Sequence, residues 1–280
     1  MVKIIVTQNA GFCFGVERAT KMAFDASKEH RNDIFTLGPI IHNPQVVKNL
    51  ESEGVIAKND LDEIQCGTVI IRSHGVSSDV MDKASKSNLN ILDATCPFVK
   101  KAQKNAEKLS QEGYTVLIVG DKKHPEVQGI VSYVKGDVYV AGSVEDLKDL
   151  PPVKRLGIVA QTTQSIDNFN EMVEACMEIA DDVNVCNTIC DATDVRQEES
   201  VALARLVDCM IVIGGFNSAN TKRLASLCLA IQKNTHHIES SSQISKLWFD
   251  NVEKVGITAG ASTPSEAIEE VRKKVEELCS

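Results

Sequence analysis

Short runs of β-branched and aliphatic residues alternate along this chain with segments whose apolar positions recur at helical spacing. The strand candidates are KIIVTQ from Lys3, DIFTLG from Asp33, GTVIIRS from Gly67, NLNILDA from Asn88, YTVLIVG from Tyr114, DVYVA from Asp137, RLGIVAQ from Arg155, CMIVIGG from Cys209 and KVGITAG from Lys254. Between them, segments such as Val99 to Ser110, Ile166 to Ala180, Thr221 to Gln232 and Ser265 to Leu278 carry the helical period. This alternation predicts an α/β protein with mostly parallel sheets, because a parallel pair needs a crossover connection and the crossover is usually a helix.

Several strand ends repeat one another. LGIVAQTTQS from Leu156 and VGITAGASTP from Val255 both run from a strand through small hydroxyl residues into a helix. HNPQVV at His42 and HPEVQG at His124 share a His, a Pro, an acid or amide, and a Val. Three cysteines fall into the same rhythm: Cys13 in GFCFGV, Cys96 in DATCPFV and Cys190 in NTICDAT are almost evenly spaced. Each sits where a predicted strand gives way to a helix. The expected organisation is three related α/β units, 14–96, 97–189 and 190–280, with 1–13 as an N-terminal strand leading to the first of these cysteines. Pro151-Pro152 is an internal loop.

Composition narrows the class. At 280 residues the chain is long enough for two or three domains, and 43% hydrophobic with 25% charged residues is ordinary for a globular protein. The net charge of −9, with no basic stripe interleaved with aromatics, argues against nucleic acid as a partner. No apolar run approaches the ~20 residues of a membrane span, and MVKIIVTQNAGFC lacks the pattern of a signal peptide. A cytoplasmic location is expected, with no membrane partner. Nine cysteines in such a chain point to metal ligands, catalytic groups or buried thiols rather than disulfides.

Three thiolates without a fourth are chemically pointed, since structural zinc takes a closed set of four ligands, whereas an iron-sulfur cluster held by three keeps one iron open. Cys66, Cys176, Cys186, Cys209, Cys228 and Cys279 read instead as small buried or helix-face thiols. In α/β sheets ligands bind beyond the carboxyl ends of the strands. There the sequence sets His42, Ser73-His74-Gly75, His124-Pro125-Glu126, Gln161-Thr162-Thr163, Asn217-Ser218-Ala219-Asn220 and Ser262-Thr263-Pro264. Thr163, Asn217 and Thr263 are candidate caps that would aim backbone N–H groups at an anion. Glu126 is either a buried general acid or a solvated glutamate of a helix N-terminus. His30, His236 and His237 read as structural or surface residues.

In their order, GFCFGV, HNPQVV, SHGVS, DATCPFV, HPEVQG, QTT, SAN and GASTP closely resemble the motifs of the IspH/LytB family, the 4-hydroxy-3-methylbut-2-enyl diphosphate reductases of the non-mevalonate isoprenoid pathway. The likeness runs along essentially the whole chain. It implies three α/β units in a pseudo-threefold trefoil around a central iron-sulfur site. It implies a 4Fe-4S cluster on Cys13, Cys96 and Cys190 with one open iron. His42, His74 and His124 then face the substrate, Ser218, Asn220 and Ser262 hold its diphosphate, Glu126 delivers protons and Thr162 stands beside the substrate alcohol. The implied reaction is a two-electron reductive dehydroxylation of an allylic diphosphate, fed by reduced ferredoxin or flavodoxin. Two positions depart from the family's pattern: Ala160 stands where a Thr is common, and Ala219 where a Ser is common. Two alternatives keep the thiolates and change the chemistry, an iron-sulfur hydro-lyase and a non-enzymatic redox-sensing cluster protein.

Overall fold

The computed structural model describes residues 2–29 and 33–279, so His30 lies outside the described residues. In chain order the elements are β1 (Lys3–Val6), α1 (Phe14–Glu29), β2 (Ile34–Leu37), α2 (Pro44–Ser52), β3 (Val55–Lys58), β4 (Thr68–Ile71), α3 (Ser78–Ser85), β5 (Asn90–Asp93), α4 (Pro97–Gln111), β6 (Thr115–Val119), α5 (Pro125–Ser132), β7 (Val138–Ala141), β8 (Val153–Ala160), α6 (Ile166–Met177), β9 (Ala180–Cys186), α7 (Asp191–Ala204), β10 (Cys209–Ile213), α8 (Ala219–Ile231), β11 (Thr235–Ile238), β12 (Lys254–Ala259) and α9 (Ser265–Cys279). Among the described residues no helix is long and apolar enough to cross a membrane.

The strands form three four-stranded sheets in the orders β3-β2-β4-β5, β7-β6-β8-β9 and β11-β10-β12-β1. Every pairing is parallel. The first two sheets share one topology, in which the second strand flanks the first and the third and fourth follow on the other side. The third sheet repeats it with the N-terminal β1 in the fourth place, paired to β12 from Lys3↔Lys254 to Val6↔Ile257.

The chain divides into two compact units. Unit 1 is Met1–Glu17, Ile41–Lys48 and Asp191–Ser280, and holds the sheet that β1 completes; unit 2 is Arg18–Ile40 and Asn49–Cys190, and holds the other two. In unit 1, β10 shows why the central strands read as unbroken apolar runs. Cys209, Ile211 and Ile213 pack with Val255, Ile257, Val271 and Val275, while the alternate Met210 and Val212 pack with Leu203, Val207, Leu224 and Cys228. A strand covered on both faces carries no polar alternation. In unit 2, β6 does the same, with Leu117 and Val119 on one side and Val116 and Ile118 on the other.

All nine predicted strands form, and three further ones are found: β3 (VIAK), β9 (ADDVNVC) and β11 (THHI). Each is an edge strand of its sheet, as are β1, β5 and β7. An edge strand has one open side and tolerates polar residues, so its sequence can lack the apolar run that marks a central strand, as the Asp and Asn residues of β9 and the histidines of β11 show. The α7 helix also hides its period, because its buried face includes Thr193, Arg196, Gln197 and Ser200 beside Leu203 and Ala204. Two expected caps are corrected. Ser165, not Thr163, caps α6 by accepting the Asn168 N–H, and Ser218, not Asn217, caps α8 by accepting that of Thr221. In both cases the hydroxyl immediately before the helix reaches the third N–H, as a cap must. Thr263 donates its hydroxyl to the Ile213 carbonyl at 3.0 Å, tying the end of β12 to that of β10.

Candidate functional site

The candidate residues follow the carboxyl ends of the first, third and fourth strand of each sheet. After the first strands β2, β6 and β10 come His42, the His124–Glu126 pair and the Ser218–Asn220 pair; after the third strands β4, β8 and β12 come His74, Thr162 and Ser262. After the fourth strands β5, β9 and β1 come Cys96, Cys190 and Cys13. In this strand order the connections reverse direction between the first and third strands, which is where open α/β sheets leave a ligand crevice. Unit 2 carries His74, Cys96, His124, Glu126, Thr162 and Cys190; unit 1 carries Cys13, His42, Ser218, Asn220 and Ser262.

Within unit 2 the candidates form one connected path. The Cys96 N–H donates to the Ser73 carbonyl at 2.9 Å, and Ser73 is held by its own N–H and hydroxyl on the Ile40 carbonyl. Next to it, the His74 ring meets His124 edge-on at 5.6 Å. His124 caps α5, its Nδ1 accepting the Glu126 N–H at 3.2 Å. An amide can only donate, so this Nδ1 bears no proton and a proton on the neutral ring sits on Nε2. The Glu126 carboxylate accepts two bonds from Thr162, from the backbone N–H at 2.6 Å and from the hydroxyl at 2.9 Å. The Thr162 carbonyl in turn accepts the Cys190 N–H at 2.9 Å.

Glu126 is therefore not the solvated helix-end glutamate. It is 2% exposed, and burial pushes its carboxyl up to about 7, against the two Thr162 bonds that favour the charged form. A carboxyl near 7 both holds and releases a proton at neutral pH, which suits a general acid.

Within unit 1, three chain segments are fastened together. Asn43 donates its amide to the Ser262 carbonyl at 2.8 Å while its Oδ1 accepts the N–H groups of Gln45 and Val46, capping α2. Ser262 donates its hydroxyl to the His42 carbonyl at 3.3 Å, and the Cys13 N–H donates to Ala261 at 3.2 Å. The β10–α8 turn is braced from β11, His237 Nε2 lying 2.9 Å from the Gly214 carbonyl and Glu239 accepting the Phe216 N–H at 2.7 Å. His236 stacks on Trp248 with ring centroids 3.8 Å apart, so both are structural. Asn220 is 5% exposed and its amide oxygen and nitrogen have no hydrogen-bond partner among the described residues. A buried amide with both ends unpaired costs free energy unless a ligand or water satisfies it.

The cysteines separate by environment. Among the described residues no cysteine forms a disulfide. Cys176, Cys209 and Cys228 are buried, and burial pushes their thiols up to about 11, 12 and 12, which makes them inert packing groups. Cys66, expected to be buried or on a helix face, is exposed in the loop before β4. Cys13, Cys96 and Cys190 are half-buried and each immediately precedes a helix, α1, α4 or α7. A cysteine sulfur is a soft donor suited to iron or zinc, so the chemistry of each of the three fits metal ligation.

The sequence profile of the LytB protein family matches residues 4–276. The chain belongs to the LytB family. Its LytB relatives include proteins named 4-hydroxy-3-methylbut-2-enyl diphosphate reductase from Geobacter metallireducens, 56% identical and covering 100% of this chain and 99% of its own length, and from Geobacter sulfurreducens, 56% identical over 99% and 98%. A solved structure of (E)-4-hydroxy-3-methyl-but-2-enyl diphosphate reductase, the terminal enzyme of the non-mevalonate pathway, matches with a TM-score of 0.73 at 44% identity, covering 99% of this chain and 100% of that one. The Plasmodium falciparum E-1-hydroxy-2-methyl-but-2-enyl-4-diphosphate reductase matches with a TM-score of 0.91 at 28% identity, covering 100% and 88%.

The two departures from the LytB motifs have different surroundings. Ala160 is fully buried in the apolar cluster with Leu117, Val119 and Phe169, and its backbone N–H and carbonyl are both taken by the Thr188 hydroxyl. A methyl group serves that packing role. Ala219 opens α8 between Ser218 and Asn220 and is half-buried. Asn43 and Thr188, which bond backbone, carried no signal as site residues, and Gln161, set among the strand-end groups, accepts the Asp121 N–H at 3.0 Å. Asn43 and Gln161 stand inside quoted motifs, but nothing in their type distinguishes a ligand-facing amide from one that braces a turn.

Proposed function

We propose that this LytB chain catalyses the reductive dehydroxylation of 4-hydroxy-3-methylbut-2-enyl diphosphate to isopentenyl and dimethylallyl diphosphate, taking up two electrons and two protons and releasing water. Full-length likeness to proteins named for that reductase supports the reading. The structural observation that carries it is the buried Glu126 carboxyl, clasped by a threonine whose own carbonyl receives the amide of Cys190.

In this reading Cys13, Cys96 and Cys190 would hold a 4Fe-4S cluster, which would supply the electrons and a Lewis-acidic iron. The chain's own residues do the rest. Glu126 holds a proton on its carboxyl at neutral pH, and when protonated it donates to Thr162 Oγ1, which turns its own hydrogen toward the departing hydroxyl. His124, fixed by Nδ1, offers Nε2–H as a donor in a set orientation. Ser218, Asn220 and Ser262 bind the diphosphate, and His42, His74 and His124 face the substrate. Almost no Lys or Arg stands in these motifs, so neutral donors and the N-terminus of α8 compensate much of its charge. Reduced ferredoxin or flavodoxin is the electron donor.

Anaerobic turnover of the hydroxymethylbutenyl diphosphate with a low-potential chemical reductant tests the reading. We expect two electrons consumed per product and a loss of about 10²–10⁴ in rate for Glu126→Gln, the range of a lost general acid. Turnover without reductant would instead identify a hydro-lyase, and an unimpaired Glu126→Gln would remove the acid assignment while leaving the reduction intact.

A further inference from the structure

The helices that follow two of the three cysteines each carry an arginine that grips the segment leading into another of the three. Arg18 lies on α1, five residues beyond Cys13, and its guanidinium donates to the carbonyls of Asp93 and Thr95 at 3.2 and 3.4 Å, directly before Cys96. Arg196 lies on α7, six residues beyond Cys190. Its guanidinium donates to the carbonyls of Asn9 and Gly11 at 2.9 and 2.8 Å, four and two residues before Cys13. Arg196 is 3% exposed and also donates to Ala192 at 3.3 Å. One turn along the same helix, Glu199 accepts the Asn9 backbone N–H at 3.0 Å and its side-chain amide at 2.7 Å. Segment 9–11 is thus bound by four hydrogen bonds to α7, and it turns at Gly11 with φ +99°.

We propose that Arg18 and Arg196 are positioning residues for the thiolate ligands: Arg18 sets Cys96 and Arg196, with Glu199, sets Cys13. The inference rests on the cluster reading above. Neither arginine stands in the quoted ligand motifs, and both act on backbone carbonyls, so their effect reaches the metal only through the cysteine that follows. The planar guanidinium fork suits this task, because it spans two carbonyls two residues apart where a lysine offers a single point. Groups that orient metal ligands from outside the coordination shell typically change metal affinity 10–100-fold when removed.

The test compares wild type with Arg18→Gln, Arg196→Gln and Arg196→Lys, with Glu199→Gln as a milder change in the same clamp should the buried arginine prove necessary for folding. Hydrogen exchange on the metal-free chains reads the clamp alone. We expect faster exchange at residues 9–13 in the Arg196 and Glu199 variants and at residues 93–96 in Arg18→Gln, each without the other. Release of iron to a chelator from anaerobically purified protein reads the consequence, with an expected acceleration of about 10–100-fold. Arg196→Lys should resemble Arg196→Gln; wild-type behaviour in the lysine variant would mean that charge and not the fork matters, and would overturn the proposal. So would equal loosening of both segments in every variant, or exchange unchanged from wild type. Wild-type protein free of iron and sulfide would refute the cluster reading, while the exchange data would still decide the clamp.

Discussion

Glu126 is the residue whose chemistry depends most on its surroundings. Burial raises its carboxyl to about 7, whereas in the unfolded chain it ionises near the ordinary value of 4.5. Between those values the folded state binds the extra proton, so stability falls as pH rises from about 4.5 to 7. Melting curves of wild type against Glu126→Gln should show that slope in the wild type only. The rate of reduction should fall as pH rises through about 7, as the acid loses its proton, and a pH profile of turnover reads this directly. At Ala219 the expected change is a gain. Ala219→Ser restores a hydroxyl at the start of α8 and should lower KM for the diphosphate about 2- to 10-fold, the worth of one hydrogen bond. An unchanged KM would show that the site is complete without it. Residue type alone named Glu126, but whether it was a proton carrier or a solvated helix-end charge depended on Thr162, 36 positions away in the chain.

At the scale of elements, the central strands were legible because burial on both faces demands an unbroken apolar run. β9 and β11 were not, because Asp181, Asp182 and Asn184 in one and His236 and His237 in the other break the apolar run at a sheet edge, and β3 was not because only four residues form it. The strand-to-helix turns carry both the motifs and the tightest geometry. After β4 the chain turns at Gly75 with φ +73°, where an added Cβ would stand 2.9 Å from Gln103 Nε2 and 3.1 Å from the Thr95 methyl. Gly75→Ala should therefore cost about 1–3 kcal/mol, from a left-handed backbone and a crowded site together, measured by denaturant unfolding. A cost near zero would mean that the turn relaxes freely, and His74 with it.

For the whole molecule, the decisive feature is that β1 takes the fourth place in a sheet whose other strands begin some two hundred residues later. Val6 packs in the unit 1 core with Ile257 and Val271. Val6→Asp should thus lower hydrogen-exchange protection across β10 and β12 while β6 and β8, in unit 2, keep theirs; uniform loss would show that the two units unfold as one. The sequence by itself determined the α/β class, the three spaced cysteines and the ordered motifs that resemble one family. It did so because apolar periodicity and residue chemistry are local properties, readable wherever they stand in the chain. Only the tertiary structure decided that the three sheets share one strand order, that each of these cysteines follows a fourth strand, that Glu126 is buried against Thr162, and that arginines brace two of the loops. Those facts depend on which distant segments pack together, and a side chain's partner, burial and proton affinity are set by that packing.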